Sequence, residues 1–235
     1  MLRPTNATQK NLLLGCCRLL VGILTGISLA NARHQSIAQG PSPAEQPQAT
    51  SGDQRLIKSS AETIRRAKNE PQNFEAQLQA AEVYYQIEGY EQAIAFLSRA
   101  EQLRPESDEV VTALANVNFL ARHYEEAERW FTAALRQHPS DVNIRTDLGM
   151  TFLFRAPPDF DRALTEFRRA LALDPQHEPS LQNMVIALAR KGERAEARLF
   201  LEKLEKINPQ NTTLEALRLE LAQTRPAEAQ PAGHD

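Results

Sequence analysis

Pro71, Pro105, Pro139, Pro175 and Pro209 fall at spacings of 34, 34, 36 and 34 residues. Ala93, Ala127, Ala163 and Ala197 keep the same step of 34, 36 and 34, and Tyr90, Tyr124 and Phe160 stand three residues before the first three of those alanines. Ala100, Ala134 and Ala170 lie seven residues after them, with Leu204 taking that place in the fourth copy. Four residue classes that share one two-residue insertion mark an internal repeat. A repeat of this length leaves a chain few architectures, because each copy buries its apolar face only by stacking on its neighbours.

Each copy contains two amphipathic stretches at helical spacing. In the second, Leu114, Ala115 and Phe119 share one side of a first helix, and Ala127, Phe131 and Ala134 share one side of the next. The recurring alanines are small where helices approach closely. The proline stops the second helix, since it lacks an N–H and disfavours helix in the residue before it. Ser107 and Ser140 follow prolines as expected N-caps. Composition agrees with helix: nine glycines and 6% aromatics argue against an all-β chain of tight turns, and 42% apolar residues exclude wholesale disorder.

These residues resemble tetratricopeptide (TPR) repeats. Leu148-Gly149, Phe152, Phe160, Ala163, Phe167, Ala170 and Pro175 of the third copy match the family pattern almost position for position. The resemblance implies an all-α fold, a right-handed solenoid of four helix-turn-helix repeats at 74–107, 108–141, 142–177 and 178–211. Copy one departs from the pattern with Ala80-Ala81, copy two with Asn118 and copy four with Arg194, while copy three carries its insertion at Ala156-Pro157-Pro158 between its two helices. A stack exposes a core face at each end and needs a cap with a polar outside. Residues 54–73, with Leu56, Ile57, Ala61, Ile64 and Ala67, supply the N-terminal capping helix. Residues 212–224 supply the C-terminal one, opened by Thr212-x-x-Glu215 as a capping box. Residues 225–235 read as a disordered tail.

The chain begins differently. Residues 11–30 are the only strongly apolar stretch, and Arg18 interrupts them. The uncharged run Leu19–Ala30 is short for a membrane span and suits the apolar region of a signal peptide, with Ala30-Asn31-Ala32 as the small-x-small cleavage pattern. Two readings of residues 1–32 stay open: a signal peptide cleaved near Ala32, or a retained anchor that attaches the protein to the inner membrane through residues 11–30. Both place the body outside the cytoplasm, in the periplasm or another extracytoplasmic space. Residues 33–53, rich in Pro, Gln, Ser and Ala, read as a flexible linker.

Charge and chemistry narrow the function. The chain carries 27 Lys+Arg against 30 Asp+Glu, and removing the three cations of residues 1–32 leaves 24 against 30, a net −6 for the rest. That is no footprint for nucleic acid. Cys16 and Cys17 both lie in the leader, so the body has no thiol nucleophile, disulfide or metal thiolate. His123, His138 and His177 fall at inter-helix corners and read as solvent-exposed loop residues. No metal spacing, phosphate loop or nucleophile motif is found. The expectation is a non-catalytic protein with no cofactor and no metal.

In the TPR family the first helix of each repeat lines the concave side. That carries over to a peptide-binding groove of Tyr85, Asn116, Phe119, Asn143, Met150, Phe154, Gln182 and Asn183. Chaperone-binding members clamp a peptide carboxylate with Lys and Asn at places that here hold Leu78, Glu82, Ala113, Asn143 and Asp147, so that clamp is absent. Aromatic and aliphatic anchors beside amides suit an extended peptide or an amphipathic helix. The resulting expectation is an interaction scaffold or assembly factor with a protein or peptide ligand. A self-associating structural protein, or an accessory subunit that presents substrate to a separate enzyme, stands as the alternative.

Overall fold

The computed structural model describes residues 51–105 and 107–223. The expected signal or anchor, most of the linker and the tail lie outside them. The described residues form ten helices and no strand: α1 (Ser51–Asn69), α2 (Phe74–Gln86), α3 (Tyr90–Leu103), α4 (Asp108–Leu120), α5 (Tyr124–Gln137), α6 (Val142–Phe154), α7 (Phe160–Leu173), α8 (Glu178–Lys191), α9 (Arg194–Ile207) and α10 (Leu214–Gln223). None of these helices is long and apolar enough to cross a membrane. They divide into two compact units, one ending at Ala121 and the other beginning at Arg122.

In the first unit α1 packs on α2, α2 on α3 and α3 on α4. The contact between α1 and α2 is made by small residues: Ala67, Ala76 and Ala80 are fully buried, with Phe96 of α3 packed against them. A helix leaves its last carbonyls without intrahelical partners. Here buried Gln77 answers that need, its Nε2 donating to Ala67 O at 2.8 Å and Glu70 O at 3.2 Å. The Tyr84 and Phe96 rings stack at 5.6 Å between α2 and α3.

One repeat position demands a left-handed residue. Glu88, Arg122 and Gly192 all have positive φ, of 59°, 62° and 92°, and each is the fifteenth residue of its copy. At Gly192 the turn closes with Gly192 N–H donating to Ala189 O and Glu193 N–H to Leu188 O. Glu88 and Gly89 repeat that pattern onto Tyr85 O and Tyr84 O. Only copy four supplies a glycine there. Holding an L-residue in that region costs about 1–2 kcal/mol, which the packed helices on either side must offset.

In the second unit α5 packs on α6, α6 on α7, α7 on α8 and α8 on α9, while α6 also meets α8, and α10 meets both α8 and α9. Phe131, Phe152, Leu153, Phe167, Leu164, Leu181, Met184, Leu188, Leu204 and Leu217 are its most deeply buried large side chains. Gly149 is what lets α6 and α7 close: a Cβ there would stand 2.7 Å from Phe167 Cδ1 and nearer still to Cε1. Glu166, buried on α7, accepts from Arg145 Nη1 at 2.9 Å and Arg169 Nη1 at 2.7 Å. Arg145 also donates from Nη2 to Pro139 O. The insertion at Ala156-Pro157-Pro158 is exposed, and Asp159 restarts the chain by capping Arg162 N.

The caps differ from expectation by a residue or so. Asp141, not Ser140, caps α6, its Oδ1 accepting from Asn143 N at 2.8 Å and Ile144 N at 3.0 Å. Two capping residues stand side by side in the sequence, and the carboxylate is the one the turn aims at the helix. Ser107 holds the N-cap place of α4 without a side-chain cap bond. The Thr212-x-x-Glu215 box is not where the last helix begins. Asn211 Oδ1 takes the Thr213 N–H at 2.9 Å, and α10 starts at Leu214. Glu178 explains the shift, because it accepts from Asn208 Nδ2 at 3.0 Å and Asn211 Nδ2 at 2.5 Å, fixing both asparagines at the turn.

Candidate peptide-binding face on α6 and α8

Asn143, Asp147, Met150 and Phe154 recur along α6 at steps of four, three and four, which sets them on one stripe. On α8 the corresponding stripe holds Gln182, Ile186 and Arg190. The two helices run side by side in the same direction, because contacts pair their N-terminal ends and their C-terminal ends. At the start, His177 Nε2 lies 3.1 Å from Asn143 Oδ1, and Thr146 Oγ1 lies 2.7 Å from Ser180 Oγ. At the finish, the Arg190 guanidinium sits 5.7 Å from the Phe154 ring centroid and pairs with Glu220 of α10 at 2.9 Å. The distance from Asn143 to Phe154 along the axis is about 16 Å at 1.5 Å per residue.

The N-terminal end is a chain of hydrogen bonds whose hydrogens can be counted. His177 Nδ1 lies 2.8 Å from Ser180 Oγ, and Thr146 Oγ1 is 2.7 Å from both Val142 O and Ser180 Oγ. A neutral ring that donates from Nε2 to Asn143 accepts at Nδ1 from Ser180. Ser180 then accepts from Thr146, whose single hydrogen is no longer available to Val142 O. Satisfying all four contacts together as oriented requires an imidazolium. Burial opposes that charge and holds the His177 pKa below its ordinary value, with Asp174 and Asp141 pulling weakly the other way. His177 was expected as a free loop residue. It is half-buried, and both its ring nitrogens have partners, because the repeat step of 34 brings Asn143 and Ser180 to either side of it.

Between the two ends stands Asp147. It is half-buried, and among the described residues its carboxylate has no hydrogen bond or ion pair. Burial raises its pKa from 3.8 to about 7, with a smaller push from the negative charge of Asp141. Four cations on α6 and the helices around it are engaged elsewhere. Arg145 is held by Glu166, Arg190 by Glu220, and Arg155 and Arg162 by Glu128 of α5.

The structure distributes the expected site residues unevenly. In the second unit Asn143 is exposed, and Phe154 and Gln182 are half-buried, so all three reach the surface of the α6–α8 face. Met150 is 5% exposed and Asn183 is fully buried. Both are interior, because the packing of α8 against α6 covers the inner edge of each stripe. Asn183 Nδ2 donates to Pro179 O at 3.0 Å, while its Oδ1 is buried without a partner. In the first unit Asn116 is buried on α4, and Tyr85 and Phe119 are half-buried. The Tyr85 ring lies 6.4 Å from that of Tyr90. Asp147 and His177 were not expected in the site. Asp147 was in view only as a place where a clamp residue is missing, and no local signal distinguishes a paired from an unpaired aspartate. Among the described residues no group of His, Cys, Asp and Glu could hold a metal ion.

Comparison with known proteins fits this architecture. The family model for the middle TPR-like domain of cilia and flagella-associated protein 70 matches residues 111–222, a little under half of the chain. MamA from Desulfovibrio magneticus RS-1 (residues 41 to its end) superposes with a TM-score of 0.59 at 19% identity, over 68% of this chain and 92% of that one. YrrB, described as a TPR protein with an unusual peptide-binding site, gives 0.60 at 21% identity, over 72% of this chain and 86% of that one. A further MamA crystal structure gives 0.58 at 20% identity, over 71% and 99%. No curated protein sequence matches the chain. At these identities the likeness shows the fold, which is that of a helical TPR repeat solenoid.

Proposed function

We propose that the protein is a non-catalytic interaction scaffold or assembly factor that binds a peptide or helix along the α6–α8 face. The observation that carries this reading is the surface itself. Phe154 and Gln182 are left partly open on adjacent helices, with an unpaired carboxylate between the two pinned ends. A half-buried aromatic beside amides and an unsatisfied polar group gives a ligand both an apolar anchor and polar partners. YrrB lends support as a protein of this fold described as having a peptide-binding site. The apolar leader with its small-x-small ending supports work outside the cytoplasm, either soluble after cleavage near Ala32 or anchored in the inner membrane.

Self-association is the second reading, and Leu199 and Leu219 favour it, being 64% and 55% exposed on α9 and α10. Affinity capture from solubilised membranes and soluble extract, run beside sedimentation analysis, separates the two. Wild type is expected to capture a partner that Phe154→Glu loses by about tenfold or more while keeping its helical spectrum. Identical capture by both forms removes the α6–α8 face as the site. Concentration-dependent mass without other partners moves the function to self-assembly.

A further inference from the structure

The α6–α8 face leaves one group unused by the fold. Asp147 keeps its carboxylate half-buried, with neither donor nor cation on it. Such groups are costly in a chain that could have placed an amide or an apolar residue there at no electrostatic penalty. Neighbouring acids do not resemble it: Glu166 has two arginines, Glu178 has two asparagines and Glu220 has Arg190.

We infer that Asp147 receives a basic side chain, lysine or arginine, from a peptide bound along the α6–α8 face; this rests on the peptide-binding reading of that face. Charge complementarity is the argument. Arg145, Arg155, Arg162 and Arg190 are already committed to glutamates, and the further charge that acts on this carboxylate, Asp141, is negative. Once Asp147 is ionised, above about pH 7, the face therefore carries an unbalanced negative site, with Asn143 and His177 on one side and Phe154 on the other. Arg190, the cation at the far end, is neutralised by Glu220 and does not compensate. A ligand ammonium or guanidinium gains a charge-assisted bond to a partly dehydrated carboxylate, where such bonds are strongest. An acidic ligand meets repulsion at the same point, so the site sets specificity as well as affinity.

The test uses full-length protein in mild detergent and degenerate decapeptide pools, N-acetylated and C-amidated so that their termini carry no charge. One central position is fixed as lysine, arginine, norleucine, glutamine or glutamate, and binding is read by fluorescence polarisation. The lysine and arginine pools are expected to bind about tenfold tighter than the norleucine pool, which matches lysine in length without its charge. Asp147→Asn, nearly isosteric and with its helical spectrum checked, is expected to erase that preference. Equal binding of all pools to wild type, or a preference that survives in Asp147→Asn, overturns the inference. If the pools bind equally but all weaken in Phe154→Glu, only the role of Asp147 falls. If no pool binds, the peptide-binding reading falls with it.

Discussion

A carboxylate without donors is an expense the folded state carries only when ionised. Because burial holds Asp147 protonated up to about pH 7 in the native protein, against 3.8 for an ordinary aspartate, the unfolded chain releases this proton first as pH rises. The group therefore costs nothing below about pH 3.8 and progressively destabilises the fold as pH rises towards 7. Asp147→Asn is expected to raise the midpoint of thermal unfolding by about 5 °C at pH 8, a gain that shrinks to nothing near pH 4. Circular dichroism melts at the two pH values check this, and a constant difference at both would show that the carboxylate is solvated. None of this was legible in the sequence. Asp147 was visible as a residue standing where a clamp residue is missing, but the absence of a partner is a property of its surroundings. His177 makes the same point in reverse. Its corner position suggested solvent, whereas residues 34 positions upstream and three downstream occupy both ring nitrogens.

At the scale of elements, helix pairs are fixed by where small and large residues meet. Gly149 is expected to be intolerant of even one methyl group. Alanine gains about 1 kcal/mol in helix propensity, but its Cβ would stand inside contact distance of the Phe167 ring, which is itself fully buried and has little room to retreat. Overpacking of this kind costs about 1–3 kcal/mol, so Gly149→Ala is expected to lower the urea midpoint despite its better propensity; a raised midpoint would show that the ring moves freely. The existence and pairing of the helices were readable because they depend on spacing along the chain. Their first residues were less so. Asp141 replaced Ser140 as a cap, and Asn211 pre-empted Thr212, since adjacent polar residues carry the same cap signal and only the turn's direction chooses between them.

Across the whole molecule, stability is a matter of neighbours. In the second unit α9 touches α8 and α10, and in stacked repeats such contacts dominate the energetics. Leu204→Ala, at a fully buried site on α9, removes about 2–5 kcal/mol. Amide hydrogen exchange is expected to quicken by about thirtyfold or more in α8–α10 and to stay unchanged in α2 and α3. Uniform acceleration through all ten helices would instead mean that the chain unfolds as one block. The sequence by itself determined the repeat, its two helices per copy and the TPR-like fold, because a period of 34 and the residues that keep it are written in one dimension. Only the tertiary structure decided which residues of the expected site remain at the surface. Met150 and Asn183 lie within it while Asn143, Phe154 and Gln182 stay open, and Asp147 is left unpaired beside them. The reason is physical: burial and electrostatic pairing are set by side chains a full repeat away, and those meet only after the helices have packed.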